Sequence, residues 1–315
     1  MPNLWMAPLH GITLYQFRNC FIRHNGGLNA AIAPFMTVQC NEKLNVRKWK
    51  DFDPVNNTSM DVIPQLMGIV PAHFADTMRA VHEQFGIRRF NWNLGCPMPP
   101  IVRKRRGCGL MPFPDDVESV VETACSLPFR FSVKLRLGLH SPSEGMEIIQ
   151  RLNDYPLEFV VIHPRLGIQQ YEGTPDLDAF SAMLEACQHP VIYSGDIFTV
   201  DDFLFLRNKF PQIQHWMLGR GLLRNPFLAE QIQSAETGEH TIPSCDEEKL
   251  RFNEFYEDLE QTLLSFKTES GTLSMLKELW HYFASYYNLS ARQLHDMLVC
   301  QSLDDFNRVR CANLS

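Results

Sequence analysis

The run Asn93-Leu94-Gly95-Cys96-Pro97 sets a cysteine just past a short apolar stretch, on a turn built from Gly and Pro. A thiol there can act as acid, base or nucleophile, or it can be a plain buried side chain, since free Cys is among the most buried residue types. Three further polar groups, Gln65, Lys134 and His163, stand at the ends of similar apolar runs, with Arg165 two residues past His163. Alone, Gln65 or His163 reads as a hydrogen-bonded core residue, but lysine is almost never buried unpaired. Together they offer an amide, a cation and an imidazole, the polar set that a flavin ring requires: a positive group near N1 and O2 and an amide for the N3/O4 edge. A thiol of ordinary pKa, ~8.5, is mostly protonated at neutral pH. Cys96 can therefore give a proton where a flavin gives a hydride, the pair that reduces an electron-poor C=C bond. Asn93 either positions a substrate carbonyl or caps the turn that holds Cys96.

Two glycine-bearing turns follow later runs, Ser194-Gly195-Asp196 and Gly219-Arg220-Gly221. Glycines let backbone N–H groups approach an anion closely, a helix N-terminus adds partial positive charge, and Arg220 adds a charge-assisted bond. One such segment alone reads as a tight turn; two on neighbouring strands point to a phosphate. The segment Met98 to Pro112 is expected to be a mobile loop, and it carries Arg103-Lys104-Arg105-Arg106. This run is purely positive in a chain of net charge -7. It suits the phosphates of a nucleic acid, and Arg136 can add to it. The net charge itself argues against a bulk electrostatic nucleic-acid binder.

The elements that must position these groups are short strands. They are expected at Leu4–Pro8, Ala30–Phe35, Val62–Leu66, Arg89–Asn93, Phe131–Leu135, Phe159–His163, Val191–Ser194 and His215–Leu218. Most lack polar alternation, as parallel strands covered on both faces do. Helical spacing separates them, as in Ala72–Phe85, Val117–Ala124 and Phe203–Phe210. Eight such units suit a TIM (β/α)8 barrel of roughly 250 residues, whose chemistry sits at the C-terminal ends of its strands. A doubly wound sheet would use a similar strand count, but the polar strand ends and the two late glycine-bearing turns favour the barrel. Residues 1–240 are read as a flavin-binding barrel, Glu236–Asp246 as a linker, and 247–315 as a C-terminal helical-bundle domain with an acidic surface. In the latter, Phe252, Phe255, Tyr256, Leu259, Leu263 and Leu264, then Met275, Leu279, Tyr282, Phe283 and Tyr286, recur at helical spacing.

The 9 cysteines are odd in number and irregularly spaced, and no CxxC occurs, so neither a disulfide framework nor a metal site is expected. No apolar run approaches the ~20 residues that span a bilayer, and the start lacks a signal-peptide pattern. A cytoplasmic monomer without membrane contact is expected.

The ordered set Met6-Ala7-Pro8-Leu9-His10-Gly11-Ile12-Thr13, Asn93-Leu94-Gly95-Cys96-Pro97, Val133-Lys134-Leu135-Arg136-Leu137-Gly138, His163-Pro164-Arg165, Ser194-Gly195-Asp196-Ile197 and Gly219-Arg220-Gly221 resembles the tRNA-dihydrouridine synthases. Lys277 and Trp280 match a Lys-x-x-Trp pattern of that family's C-terminal domain. The resemblance implies an FMN-binding barrel, a helical domain that helps hold tRNA, NADPH as electron donor, and reduction of a uridine to 5,6-dihydrouridine. It implies Cys96 as the acid that protonates C5 after hydride reaches C6. It implies FMN contacts from Pro8, Leu9, His10, Gln65, Lys134, His163, Ser194, Gly195, Asp196, Gly219 and Arg220. Asn93 and Arg136 are expected at the flipped base or its neighbours, and Arg103, Lys104, Arg105 and Arg106 at RNA phosphates. The chain departs from the family pattern at Asn91, usually acidic, at Ser194, usually Asn, and at Leu9-His10-Gly11. The same chemistry on another RNA or on a free pyrimidine, and a non-catalytic RNA-binding homologue, are the competing readings.

Overall fold

A computed structural model of the chain describes residues 1–39, 49–238 and 245–314. Its strands are β1 (Asn3–Met6), β2 (Ala30–Ile32), β3 (Met36–Thr37), β4 (Asp61–Ile63), β5 (Gln65–Met67), β6 (Arg89–Leu94), β7 (Arg130–Gly138), β8 (Val160–Leu166), β9 (Val191–Tyr193) and β10 (His215–Leu218). Helices alternate with them from Tyr15–His24 onward, and after Leu218 the described chain is helical with no further strand.

The chain divides into two compact units. One comprises 30–195 and 211–217. All its strand pairs are parallel: β2 with β4, and β3, β5, β6, β7, β8, β9 and β10 in succession. Parallel neighbours need crossover helices. These are supplied by Pro71–Phe85, Pro114–Cys125, Pro142–Leu152 and Leu177–Ala186, three of which place Pro at the first turn, where its missing N–H costs nothing.

Proline interrupts two expected strands: Ala30–Phe35 shortens to β2, with β3 beginning past its expected end, and Val62–Leu66 divides into β4 and β5. Pro34 separates β2 from β3 and Pro64 separates β4 from β5. Proline gives no N–H to a ladder. The ladder resumes on either side, through Ala33 N–H to the Ile63 carbonyl and Val38 N–H to the Met67 carbonyl, both 2.9 Å. The ten segments therefore make eight passes along the chain, the alternation of a (β/α)8 barrel. The strands β7 and β8 run three residues beyond their expected ends, with a register irregularity between Arg136 and Gly138. Lys134 and His163 thus stand within strands rather than closing them.

The second unit comprises 1–29, 196–210 and 218–315. Here β1 continues into a turn in which Ala7 N–H bonds the Leu218 carbonyl at 2.8 Å. The helix Val200–Lys209 opens with a capping box of Thr199 and Asp202. Tyr15–His24 packs on Cys245–Leu264, where Phe17 and Phe21 meet Phe255 edge-on at 6.0 and 5.9 Å. Arg23 and His24 bond Asp258 across the same pair of helices. Phe252, Phe255, Tyr256, Leu259 and Leu263 are fully buried, as their spacing predicts. The helix Leu228–Thr237 ends at Gly238 in left-handed geometry; of the expected linker, residues 239–244 lie outside the described residues. No helix among the described residues is long and apolar enough to cross a membrane.

Candidate active site

Across β5, β6 and β7 the register pairs Gln65 with Asn91, Asn91 with Ser132, and Asn93 with Lys134. Side chains two apart share a face, so these five polar groups stand together. Four of them form one hydrogen-bonded chain. Ser132 Oγ donates to the Phe90 carbonyl (3.1 Å) and accepts from Asn91 Nδ2 (2.9 Å). Asn91 Oδ1 accepts from Gln65 Nε2 (2.7 Å), and Gln65 Oε1 accepts from Asn93 Nδ2 (2.8 Å). Asn93 Oδ1 then accepts the backbone N–H groups of Gly95 (3.1 Å) and Cys96 (2.9 Å). Asn93 thus caps the turn that carries Cys96.

The Cys96 thiol is half-buried and free. Burial pushes its pKa above the ordinary thiol value, against a downward pull from the Met98 backbone N–H, Arg136 and Lys134. It therefore holds its proton at neutral pH. The half-buried Lys134 makes no hydrogen bond or ion pair with any described residue. Burial, with Arg136 alongside, lowers its pKa from 10.5 to about 7. Arg136 is itself buried and holds backbone: Nε donates to the Gly95 carbonyl and Nη1 to the Leu166 carbonyl, both 2.9 Å. It thereby ties the Cys96 turn to the end of β8. In this conformation its guanidinium is closed to an RNA strand. Arg165 is likewise buried, giving hydrogen bonds to the Gly173 carbonyl (2.7 Å) and the Glu172 carbonyl and lying 3.4 Å from His163 Nε2.

The segment expected to be a mobile loop is two short helical turns, Pro99–Val102 and Gly107–Leu110, the second fully buried. It is pinned to the Cys96 turn. Cys108 N–H and Sγ both reach the Cys96 carbonyl at 3.2 Å. Gly107 sits at φ +57°, and a Cβ there would fall 2.5 Å from the Cys96 carbonyl oxygen, so glycine is required. The four basic residues differ in what they offer. Arg103 and Lys104 are exposed. Arg105 pairs with Asp116 at 2.5 Å and stacks 3.6 Å over Phe113, while Arg106 is half-buried.

Ser194 is buried and Gly195 lies against its neighbour Tyr193, whose hydroxyl would be 2.4 Å from a Cβ on the glycine. In the other unit, Pro8 and Leu9 are half-buried and His10 is exposed. Their turn is knitted by Thr13, whose hydroxyl receives Leu9 N–H (2.8 Å) and donates to the Ala7 carbonyl (3.1 Å). Asp196 and Arg220 form an ion pair of 2.7 Å, and Gly219 has only Ala7 and Leu9 near its missing Cβ.

Sequence reasoning did not single out Ser132, Cys108, Gly107 or Tyr171. The Tyr171 ring stands 6.3 Å from that of His163 and 5.3 Å from the Arg136 guanidinium. Ser132 was legible in principle, since it shares a strand face with Lys134. Tyr171 lies beyond β8 in irregular chain, where no periodicity marks it.

The described chain matches the family model "Dihydrouridine synthase (Dus)" over residues 5–301. It is similar to a probable tRNA-dihydrouridine synthase of Rhodobacter capsulatus, 29% identical over 84% of this chain and 81% of that protein. It is similar to the tRNA-dihydrouridine(16) synthase of Pseudomonas syringae pv. tomato, 29% identical over 57% of each chain, so the shared stretch spans a little over half of that relative. Among solved structures, an old yellow enzyme homologue from Zymomonas mobilis aligns with TM-score 0.52 at 11% identity, over 78% of this chain and 91% of that one, a likeness of fold. With strands, order of motifs and family model in agreement, this chain is a TIM (β/α)8 barrel with C-terminal helices and belongs to the dihydrouridine synthase family.

Proposed function

We propose that this chain reduces a uridine of tRNA to 5,6-dihydrouridine, with FMN as its cofactor and NADPH as electron donor. The observation that carries the reading is the pairing of a thiol that burial keeps protonated with an unpartnered lysine on the adjacent strand. Lys134 makes no hydrogen bond or ion pair with any described residue, and the N1/O2 edge of a flavin is an electron-rich group that would take one. Gln65 retains one N–H of its amide for the opposite edge after bonding Asn91. His163, Ser194 and Gly195 complete the contacts proposed on these strands. The family resemblance extends them to Pro8, Leu9, His10, Asp196, Gly219 and Arg220.

When bound, the flavin supplies a hydride to C6 of the uracil. Cys96 delivers the proton to C5 as general acid, and must be reprotonated from solvent between turnovers. Burial of its sulfur serves this role, because a thiol of raised pKa keeps its proton until the carbon becomes basic. The Asn93 cap fixes where that proton is presented. A base must leave its stack to reach such a thiol. Arg103 and Lys104 are the exposed charges of the basic run that no described residue pairs, Arg105 being exposed but paired with Asp116, and they are proposed to meet RNA phosphates; the helices from 247 onward are proposed as a second RNA surface.

The test is Cys96→Ala. Purified variant should keep the yellow colour of oxidised flavin and lose dihydrouridine formation on tRNA lacking the modification. Undiminished product would place the acid elsewhere. A colourless wild-type preparation that binds no added FMN would remove the flavin reading. Product on ribosomal RNA or free uracil, with none on tRNA, would favour the competing substrates.

A further inference from the structure

Every link of the buried chain from Phe90 to Cys96 has a fixed donor and a fixed acceptor. Asn and Gln side chains are nearly symmetric in shape, so their orientation is decided by their neighbours. Here both ends admit one answer. The Phe90 carbonyl only accepts, so the Ser132 hydroxyl points its hydrogen there and leaves its oxygen to accept. Asn91 must then turn Nδ2 to Ser132 and Oδ1 to Gln65. Gln65 gives Nε2 to Asn91 and keeps Oε1 for Asn93 Nδ2. Asn93 is left with Oδ1 toward Gly95 and Cys96, whose backbone N–H groups only donate. The far end thus agrees with the near end. Reversing any one amide would set donor against donor and acceptor against acceptor among buried groups. Gln65, Asn91 and Ser132 are all fully buried, so no solvent substitutes for a lost link.

We propose that Ser132 and Asn91 are positioning residues, which set the polarity of the Gln65 and Asn93 amides and through them hold the Cys96 turn. Neither reaches the thiol itself. Ser132 acts through three amides, and its effect on Cys96 is read at the end of the neighbouring strand β6. The same chain decides which edge of Gln65 remains for a cofactor, so this inference rests on the reading of the site above. The groups facing the thiol besides this chain are Lys134 and Arg136 on β7 and Cys108 on the turn packed against it.

The experiment uses the full chain without added FMN or RNA, so it does not depend on turnover. Alkylation of Cys96 by iodoacetamide is followed by mass spectrometry against pH. Tryptic cleavage after Arg88 or Arg89 and after Arg103 isolates Cys96 as the sole cysteine of its peptide. Ser132→Ala removes the hydroxyl that orients the chain, Asn91→Leu removes the relay itself, and Ser132→Thr restores the hydroxyl. Freed of its cap, the turn should expose the sulfur and let its titration midpoint fall by about one pH unit, about a tenfold faster alkylation below the midpoint. Ser132→Thr should return the wild-type profile. Unchanged Cys96 profiles in Ser132→Ala and Asn91→Leu, with cooperative unfolding retained, would overturn the proposal. A Ser132→Thr profile matching Ser132→Ala would overturn it too, by assigning the effect to packing. Should Asn91→Leu fail to fold, Ser132→Ala decides alone, since it deletes one atom. A wild-type Cys96 profile that responds to Ser132 in a protein that makes no dihydrouridine would sink the functional reading and leave this one standing.

Discussion

Replacing Lys134 with Met should stabilise the flavin-free protein while weakening its hold on FMN. The lysine is half-buried, has no partner among the described residues, and has its pKa lowered from 10.5 to about 7. At about 1.4 kcal/mol per pH unit, holding the charge there costs at most about 5 kcal/mol below pH 7. Water reaching a half-buried ammonium reduces this to about 2–3 kcal/mol. The sign follows from proton counts. Between pH 7 and 10.5 the unfolded chain binds the proton that the folded chain has released, so wild-type stability rises with pH across that window. Lys134→Met, which cannot titrate, should therefore unfold several degrees higher than wild type at pH 7, and the gap should close toward pH 10.5. Thermal unfolding of both proteins without flavin, across pH 6.5 to 10, reads this out. FMN binding should also restore the lysine's charge. Calorimetry at pH 8 in two buffers of different ionisation enthalpy should then show wild type taking up close to one proton per FMN, and Lys134→Met taking up none. A lysine variant no more stable than wild type at pH 7, or FMN binding without proton uptake, would refute the reasoning.

Gly107→Ala should lower stability by about 1–3 kcal/mol and disturb the Cys96 turn, because φ is positive there and the new Cβ would meet backbone atoms of Cys96; thermal unfolding checks the first effect and Cys96 alkylation the second. Replacing Arg103 and Lys104 together with Gln should flatten the slope of log affinity for tRNA against log salt by up to about 1.5. Arg105→Gln should change that slope far less, since its guanidinium is already paired with Asp116; an equal change from Arg105 would mean that this pair opens on RNA. Gly221→Ala should destabilise the unit that contains it, since a Cβ would fall 2.0 Å from the Ile197 carbonyl oxygen.

The strands were legible because parallel strands covered on both faces are apolar runs, as β2 and β9 show. Their ends were less so. Past Leu135 and His163 the ladder continues through Arg136 and Arg165, charged residues that read as loop until their backbone partners are seen. The segment carrying the basic run reads as a mobile loop because its charges suit solvent, yet Gly107, Cys108, Gly109 and Leu110 just beyond them are buried and hold it in short helical turns. Asn93 had two readings in sequence, and the structure shows the capping one in atomic detail. Ser132 was invisible because a serine on a strand has no signature of its own; its meaning comes from register with Asn91. The contact-defined units also cut across chain order, which no composition shift at 240 reveals.

Cys96 and Lys134 on neighbouring strands could in principle share a proton as thiolate and ammonium, the arrangement of a nucleophile. The order of their affinities decides against it. Burial holds the Cys96 thiol above the ordinary thiol range and lowers Lys134 to about 7, so moving the proton from sulfur to nitrogen runs uphill. Burial acts on both groups in the same sense, since each charged form loses its hydration. The mutual attraction of the pair is already included in those positions and does not reverse them. An anionic group beside Lys134 would charge the lysine, but it would also repel a thiolate, so it leaves the proton on sulfur. The site therefore separates its two functions chiefly by burial: a cation that waits for an electron-rich partner, and an acid that keeps its proton until a carbon takes it.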